Sequence, residues 1–234
     1  MNVTTISRAR GFRRSGFTLI ELLTVIGIIA LLAGIIIPLA GVANKLKRNA
    51  EARALIDMVD TAITQYKNKK GFYPPDNTVS GVTKPFPNPL FYELWGATVV
   101  NPATPITYGD NYVAGDSITA DKITSFFNVG GFMNASADST EIYSFLPTLK
   151  KTQVARLNPV TQPPQPPVWV LACQSAGPPA VMTTNNGIRF NQVQYVVNNP
   201  TNRPGFYDLW VDIIVGGKTN RISNWSKDPV PVAY

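Results

Sequence analysis

From Leu22 to Ala43 the chain runs for 22 residues without a charge, LLTVIGIIALLAGIIIPLAGVA. As a helix rising about 1.5 Å per residue this run is roughly 33 Å long, enough to cross the hydrocarbon core of a bilayer. It is apolar on every face, which argues against a helix with one side in a soluble core. Arg8, Arg10, Arg13 and Arg14 precede it, with no acid among the first 16 residues. A secretory signal peptide also pairs a basic start with an apolar stretch, but its stretch is about 7–15 residues and ends at an A-x-A-like site. The run here is longer and no such site follows, so the sequence predicts a retained membrane helix over 17–43. Lys45, Lys47 and Arg48 come next. Four cations before the run against three after it favour a cytoplasmic N-terminus, by a narrow margin.

The helix is predicted to continue. Residues 44–70 contain neither Pro nor Gly and are rich in helix formers. Leu55, Val59, Ala62 or Ile63, and Tyr66 recur at spacings of three and four, which puts them on one stripe of an amphipathic helix. Lys69 and Lys70 suit the negative end of the helix dipole, and Gly71 suits the residue just past the end. One helix is therefore expected from about Phe17 to Lys70, roughly 80 Å long. Pro38 removes one of its backbone hydrogen bonds and predicts a kink or a short unwound stretch. Gly27, Gly34 and Gly41, seven residues apart, would leave a shallow track for a neighbouring helix; glycine is also simply frequent in membrane helices.

Beyond Gly71 the chain turns to short apolar runs broken by Pro, Gly, Asn and Asp, in keeping with its 20 prolines and 17 glycines. Residues 72–90 read as loop, 91–96 and 122–127 as helical turns, and 99–118 and 128–140 as irregular. NPVTQPPQPP at 158–167 reads as a stiff extended connector. Strands are expected at Val168–Cys173, Ile188–Val197, Phe206–Val215 and Lys218–Trp225. The expected class is α+β: a long N-terminal helix, transmembrane in its first half and amphipathic in its second, packed on a small antiparallel sheet. The division is 1–16 leader, 17–43 transmembrane helix, 44–71 amphipathic continuation, 72–167 loop-rich insertion and 168–234 sheet.

Composition excludes several chemistries. With no histidine and a single cysteine there is no Ser-His-Asp triad, no histidine metal ligand, no Cys-rich zinc site and no internal disulfide. The net charge of +7 falls to +3 without the four leader arginines, 17 basic against 14 acidic residues. That excess is too small to predict a nucleic-acid partner.

Glu21 stands out, because a carboxylate at the start of an apolar membrane helix carries a cost and needs a reason. One reason is local: Thr18 and Glu21 fit the S/T-x-x-E capping box, in which the acid satisfies an orphan amide.

A second reason comes with a resemblance. Arg13-Arg14-Ser15-Gly16-Phe17-Thr18-Leu19-Ile20-Glu21-Leu22-Leu23 resembles the processing site of type IV prepilins and of type II secretion pseudopilins. Pro38 at the twenty-second residue after Gly16 and the Lys70-Gly71-Phe72-Tyr73-Pro74 ending of the helix extend the likeness over roughly the first 75 residues. The resemblance implies a pilin-like fold and cleavage between Gly16 and Phe17 by a membrane prepilin peptidase that also N-methylates Phe17. It implies a non-enzymatic subunit that polymerises with homologous or identical subunits on an inner-membrane platform and assists protein secretion. It also implies an N-terminus in the cytoplasm and a head outside it. Glu21 would then pair with the Phe17 amine of a neighbour and set the register, and Pro38 would help the helix leave the bilayer. Opposite charges about 4 Å apart attract by a few kcal/mol at protein-like dielectric, before desolvation. The alternative is a signal-anchored binding or enzymatic domain that does not polymerise.

Other motifs are weaker. Val215-Gly216-Gly217-Lys218-Thr219 ends like a phosphate loop, but Asp212 replaces the first glycine. Asp76-Asn77-Thr78-Val79-Ser80-Gly81 starts like a calcium loop, but Pro87 stands where the bidentate acid belongs. Asp208 and Asp212 flank Trp210 on one strand face; they are the candidate metal ligands, with calcium the possible ion and no other cofactor expected. Cys173 reads as a small core residue. Trp95, Trp169, Trp210 and Trp225 are expected to anchor the core of the head.

Overall fold

The computed structural model describes residues 16–79, 82–84, 87–113, 115–157, 168–174, 181–183 and 189–233. The basic leader with its four arginines and the proline-rich connector 158–167 lie outside the described residues, as does Ile188. The chain divides into two compact units, Met1–Asn44 and Lys45–Tyr234.

In chain order the elements are α1 (Leu19–Lys70), β1 (Asn77–Val79), β2 (Val82–Lys84), α2 (Leu90–Trp95), β3 (Ala97–Asn101), β4 (Thr107–Asp110), β5 (Ser117–Thr119), α3 (Ala120–Phe127) and β6 (Ala135–Ser136). There follow β7 (Val154–Leu157), β8 (Val168–Gln174), β9 (Val181–Thr183), β10 (Arg189–Gln192), β11 (Gln194–Val196), β12 (Asp208–Val215), β13 (Lys218–Ser223) and β14 (Val230–Pro231). The class is α+β, a long N-terminal helix followed by a head of antiparallel and mixed sheets, consistent with a pilin-like fold.

Helix α1 is 52 residues long. Its apolar first part, in the unit that ends at Asn44, is long and apolar enough to cross a membrane and is unburied within the chain. The helix is unbroken at Pro38, so of the kink or short unwound stretch expected there the unwound stretch is absent. A proline deletes only one N–H, and the surrounding turns keep the rest of the ladder. Within the second unit, Ala52, Leu55, Ile56, Val59, Ala62, Ile63 and Tyr66 are all buried. Leu55, Val59, Ala62, Ile63 and Tyr66 are the predicted stripe, which Ala52 and Ile56 widen. Burying each large member is worth about 1.5–3 kcal/mol, so packing rather than helix propensity fixes this half. Gly71 ends the helix with φ +88°, its N–H donating to the Lys67 carbonyl at 2.8 Å.

Three four-stranded sheets make up most of the head, in the orders β7-β8-β10-β9, β11-β12-β13-β14 and β5-β4-β3-β6. The strands β8, β12 and β13 fall where the sequence predicts them, and the single expected strand at 188–197 is split into β10 and β11 around Val193. The short helices α2 and α3 also coincide with the predicted helical turns. Along β12, Leu209, Val211, Ile213 and Val215 are buried while Trp210, Asp212 and Ile214 are only partly so, the alternation of a strand with one face on the core. The hairpin from β12 to β13 closes on Val215 and Lys218, with Gly216 at φ +61° and Gly217 at φ +77°. Positive φ at both central residues is the I′ hairpin turn. The glycines that superficially suggested a phosphate loop are there to make that turn.

The region 97–136, read above as largely irregular, instead folds as the mixed sheet β5-β4-β3-β6, with β3 and β6 parallel. Its strands are two to five residues long, too short for periodicity to register. What holds them is aromatic: Tyr92 stacks on Phe132 at 4.5 Å, and Tyr108 and Phe127 pack against Phe132 at 5.3 and 6.4 Å.

The tryptophans follow the expectation only in part, since Trp95 and Trp169 pack against the core while remaining partly exposed. The largest fully buried side chains are Tyr66, Tyr92, Tyr195, Phe91 and Phe127, whereas Trp95, Trp169, Trp210 and Trp225 are all partly exposed. Tyr can bury its ring and still bond its hydroxyl, as Tyr195 does to the Pro74 carbonyl at 2.8 Å. The indole is larger and donor-only, and fits better at the margin. Cys173 is buried in β8 as expected, and burial pushes its thiol up to about 11.

Gly96 joins α2 to β3 with φ +88° and ψ +148°, a region essentially reserved for glycine. A Cβ there would collide with Ile142 Cγ2 and come within 3.3 Å of Asn134 Nδ2. Gly96→Ala is expected to lower the unfolding free energy by about 2–4 kcal/mol, measured by urea titration of the detergent-solubilised chain.

Candidate functional site

Glu21 lies in the first turn of α1, and the residues around it are exposed, with Phe17 at 78% and Leu19 at 82%. The Thr18 N–H donates to Glu21 Oε2 at 2.8 Å, and the Thr18 hydroxyl donates to the same oxygen at 2.7 Å. In return the Glu21 N–H donates to Thr18 Oγ1 at 3.3 Å. This is the reciprocal capping box, closing on the helix start the amides that would otherwise lack acceptors. The local reading of Glu21 is therefore realised within the single chain. Gly16 and Phe17 lie just before the helix, outside any regular element, and both are exposed. Pro38 lies well inside α1, and the side chains of 37–40 are outside the described residues.

Asp208 and Asp212 do not form a metal centre. Asp208 is buried at the start of β12 and accepts the N–H groups of Thr201 (2.9 Å), Asn202 (2.8 Å) and Arg203 (2.9 Å), together with the Asn202 side-chain amide (2.9 Å). Four donors already fill this carboxylate. Asp212 is paired with Arg221 across the β12–β13 ladder, Nε to Oδ1 at 2.8 Å and Nη2 to Oδ2 at 2.9 Å. Among the described residues no group of three or more acidic or thiol side chains converges to hold a metal ion. The residues present do not fit calcium: Asp208 fastens the loop before β12, and Asp212 makes a cross-strand ion pair. Asp76, from the other calcium-like segment, accepts the N–H groups of Val197 and Asn198 at 2.8 and 2.7 Å and so ties the chain after the helix to the end of β11.

Sequence reasoning missed Glu93. It is wholly buried on α2. Its carboxylate accepts the Tyr66 hydroxyl at 2.9 Å and the N–H groups of Met133 and Asn134 at 2.8 and 3.1 Å. Three elements thus meet on one acid: α1, α2 and the turn before β6. Burial pushes Glu93 up to about 7, against the pull of its three donors and of Lys70. Burial and the nearby Glu93 raise Tyr66 well above its ordinary value. The one signal available was a lone charge inside LFYELW, an otherwise apolar or aromatic six-residue helix.

The helix start is what known proteins share with this chain. Residues 8–37 match the family described as the prokaryotic N-terminal methylation motif. The N-terminal segment is similar to that of type IV pilins. The type IV major pilin protein PilE of Neisseria gonorrhoeae is 38% identical over 69 residues, which is 30% of this chain and 41% of the relative. A PilE1 pilin from the same organism is 36% identical over 72 residues, 31% of this chain and 44% of the relative. The chain thus spans less than half the length of the curated relatives it matches. No solved structure gives a significant match. The matched stretches cover 30% and 31% of this chain, so most of the three-sheet head lies outside them.

Proposed function

We propose that this chain is a structural subunit, not an enzyme, which is cleaved between Gly16 and Phe17, N-methylated on Phe17 and polymerised into a type II secretion pseudopilus or a related type IV filament. A prepilin peptidase would make the cut on the cytoplasmic side, an inner-membrane platform would add the subunits, and the heads would face outward. The observation that carries this reading is the single carboxylate of Glu21, five residues after Gly16, at the start of a helix with no other charge before Lys45. A neighbour's freed Phe17 amine would give that carboxylate a cation, and repeated head-to-tail pairing generates an open helical filament. Secretion is the favoured use, because the Lys70-Gly71-Phe72-Tyr73-Pro74 ending resembles pseudopilins.

The capping box supports a second reading, a tethered extracytoplasmic domain, since Thr18 already accounts for the carboxylate. Shearing host cells and sedimenting the released material separates the two. The proposal expects this chain in the high-speed pellet as filaments visible by electron microscopy, and absent from it when the host's prepilin peptidase is deleted. Recovery only in the membrane fraction, with or without the peptidase, favours the tether.

A further inference from the structure

We infer that the tip of the β12–β13 hairpin, together with Lys45 and Arg48 of α1, forms a basic foot that rests on anionic phospholipid headgroups when the subunit is in the membrane. All of these residues belong to the compact unit Lys45–Tyr234.

Lys45 follows Ala43, the last residue of the apolar run, by two positions, or about 3 Å along a helix axis. The headgroup layer on each side of a bilayer core is about 5–7 Å thick, so Lys45 lies within it and Arg48, about 4.5 Å further on, lies at its outer edge. The hairpin tip is at the same level, because it touches these two side chains. A Cβ on Gly216 would lie 2.6 Å from Lys45 Cε and 2.9 Å from its Nζ. The Arg48 guanidinium donates to the Ile214 carbonyl at 3.4 Å. Glycine at 216 therefore serves twice: it supplies the positive φ of the turn and clears the space that the Lys45 side chain fills.

The charge here has one sign. Residues 44–50 and 214–220 hold Lys45, Lys47, Arg48 and Lys218 and no acid. The turn residues Gly216, Gly217 and Lys218 are exposed, as are all three helix cations. Leu46, 65% exposed between Lys45 and Lys47, adds an apolar side chain suited to an interface. The next acid along the helix, Glu51, is exposed and 3.9 Å from Lys47. Asp212, further up the hairpin, is engaged by Arg221. Four cations at headgroup depth match phosphate-bearing lipids, to whose negative surface near-surface Lys and Arg are drawn. The inference rests on the membrane reading of 22–43 and not on polymerisation.

The full chain at one copy per nanodisc tests it, with amine acetylation followed site by site by mass spectrometry. An anionic surface at about −30 mV concentrates protons roughly threefold, leaving proportionately fewer nearby amines in the reactive neutral form. Lys218 is the decisive site, since it reaches the surface only through the hairpin. The expected result is acetylation of Lys218 about threefold or more slower in phosphatidylglycerol-rich discs than in pure phosphatidylcholine discs, with the exposed Lys150 and Lys151 unchanged. The difference should vanish at about 1 M salt, where screening acts within about 3 Å. Equal Lys218 rates in the two discs, fast or slow, overturn the lipid contact. A chain that fails to enter discs of either kind overturns the membrane reading itself, a failure distinct from that of the foot.

Discussion

A Glu21→Ala chain is expected to fold its head normally and to enter filaments about a hundredfold less than the unmodified chain. An amine and a carboxylate brought within about 4 Å of each other attract through a protein-like dielectric, and that attraction is gained with each subunit added. The substitution also removes the acceptor for the Thr18 N–H and hydroxyl, a local loss at the helix cap. Glu21→Gln separates the two effects. Glutamine serves the capping box as well as glutamate does, but carries no charge for an amine to meet. The account expects Glu21→Gln to fail nearly as badly as Glu21→Ala when sheared filaments are quantified by immunoblot. Normal incorporation of the Gln chain would reduce Glu21 to a helix cap.

The second large effect concerns the head. Glu93→Ala is expected to destabilise it by about 3–5 kcal/mol in urea unfolding followed by tryptophan fluorescence. It leaves the Tyr66 hydroxyl and the N–H groups of Met133 and Asn134 buried without an acceptor, and opens a cavity. Glu93 also predicts a pH dependence whose sign follows from its raised value of about 7 against an ordinary 4.5. In that interval the folded chain binds more protons than the unfolded one, so stability falls as pH rises. The contribution is complete below about pH 4.5 and is lost through pH 7, a change on the order of 3 kcal/mol. Glu93→Gln should flatten this slope while keeping one acceptor for the three donors. An unchanged slope in the Gln chain would mean that another group titrates there.

What could be read beforehand divides along a physical line. The long helix was legible because two strong patterns meet in it, a run apolar on every face and then a stripe from Leu55 to Tyr66, and because Gly71 marks its end. The strands β8, β12 and β13 were legible because they are six to eight residues long and bounded by Gly, Asn or Pro. The mixed sheet of 97–136 was not, since strands of two to five residues carry no period and are held by side-chain packing among Tyr92, Tyr108 and Phe132 that no local pattern announces. Side-chain roles followed the same rule. Thr18 and Glu21 were readable as a cap because the motif is local. Asp208 and Asp212 looked like a pair because strand alternation puts them on one face, yet the partners that claim them come from the 201–203 loop and from β13. Glu93 looked unremarkable because all three of its donors are at least 27 residues away.

The most direct test of the prepilin reading is the intact mass of the chain isolated from the membranes of its host. The account predicts a polypeptide that begins at Phe17, having lost residues 1–16, and carries one added methyl group on its N-terminal amine. A chain that retains Met1 to Gly16, in a host whose other prepilins are trimmed, would contradict it.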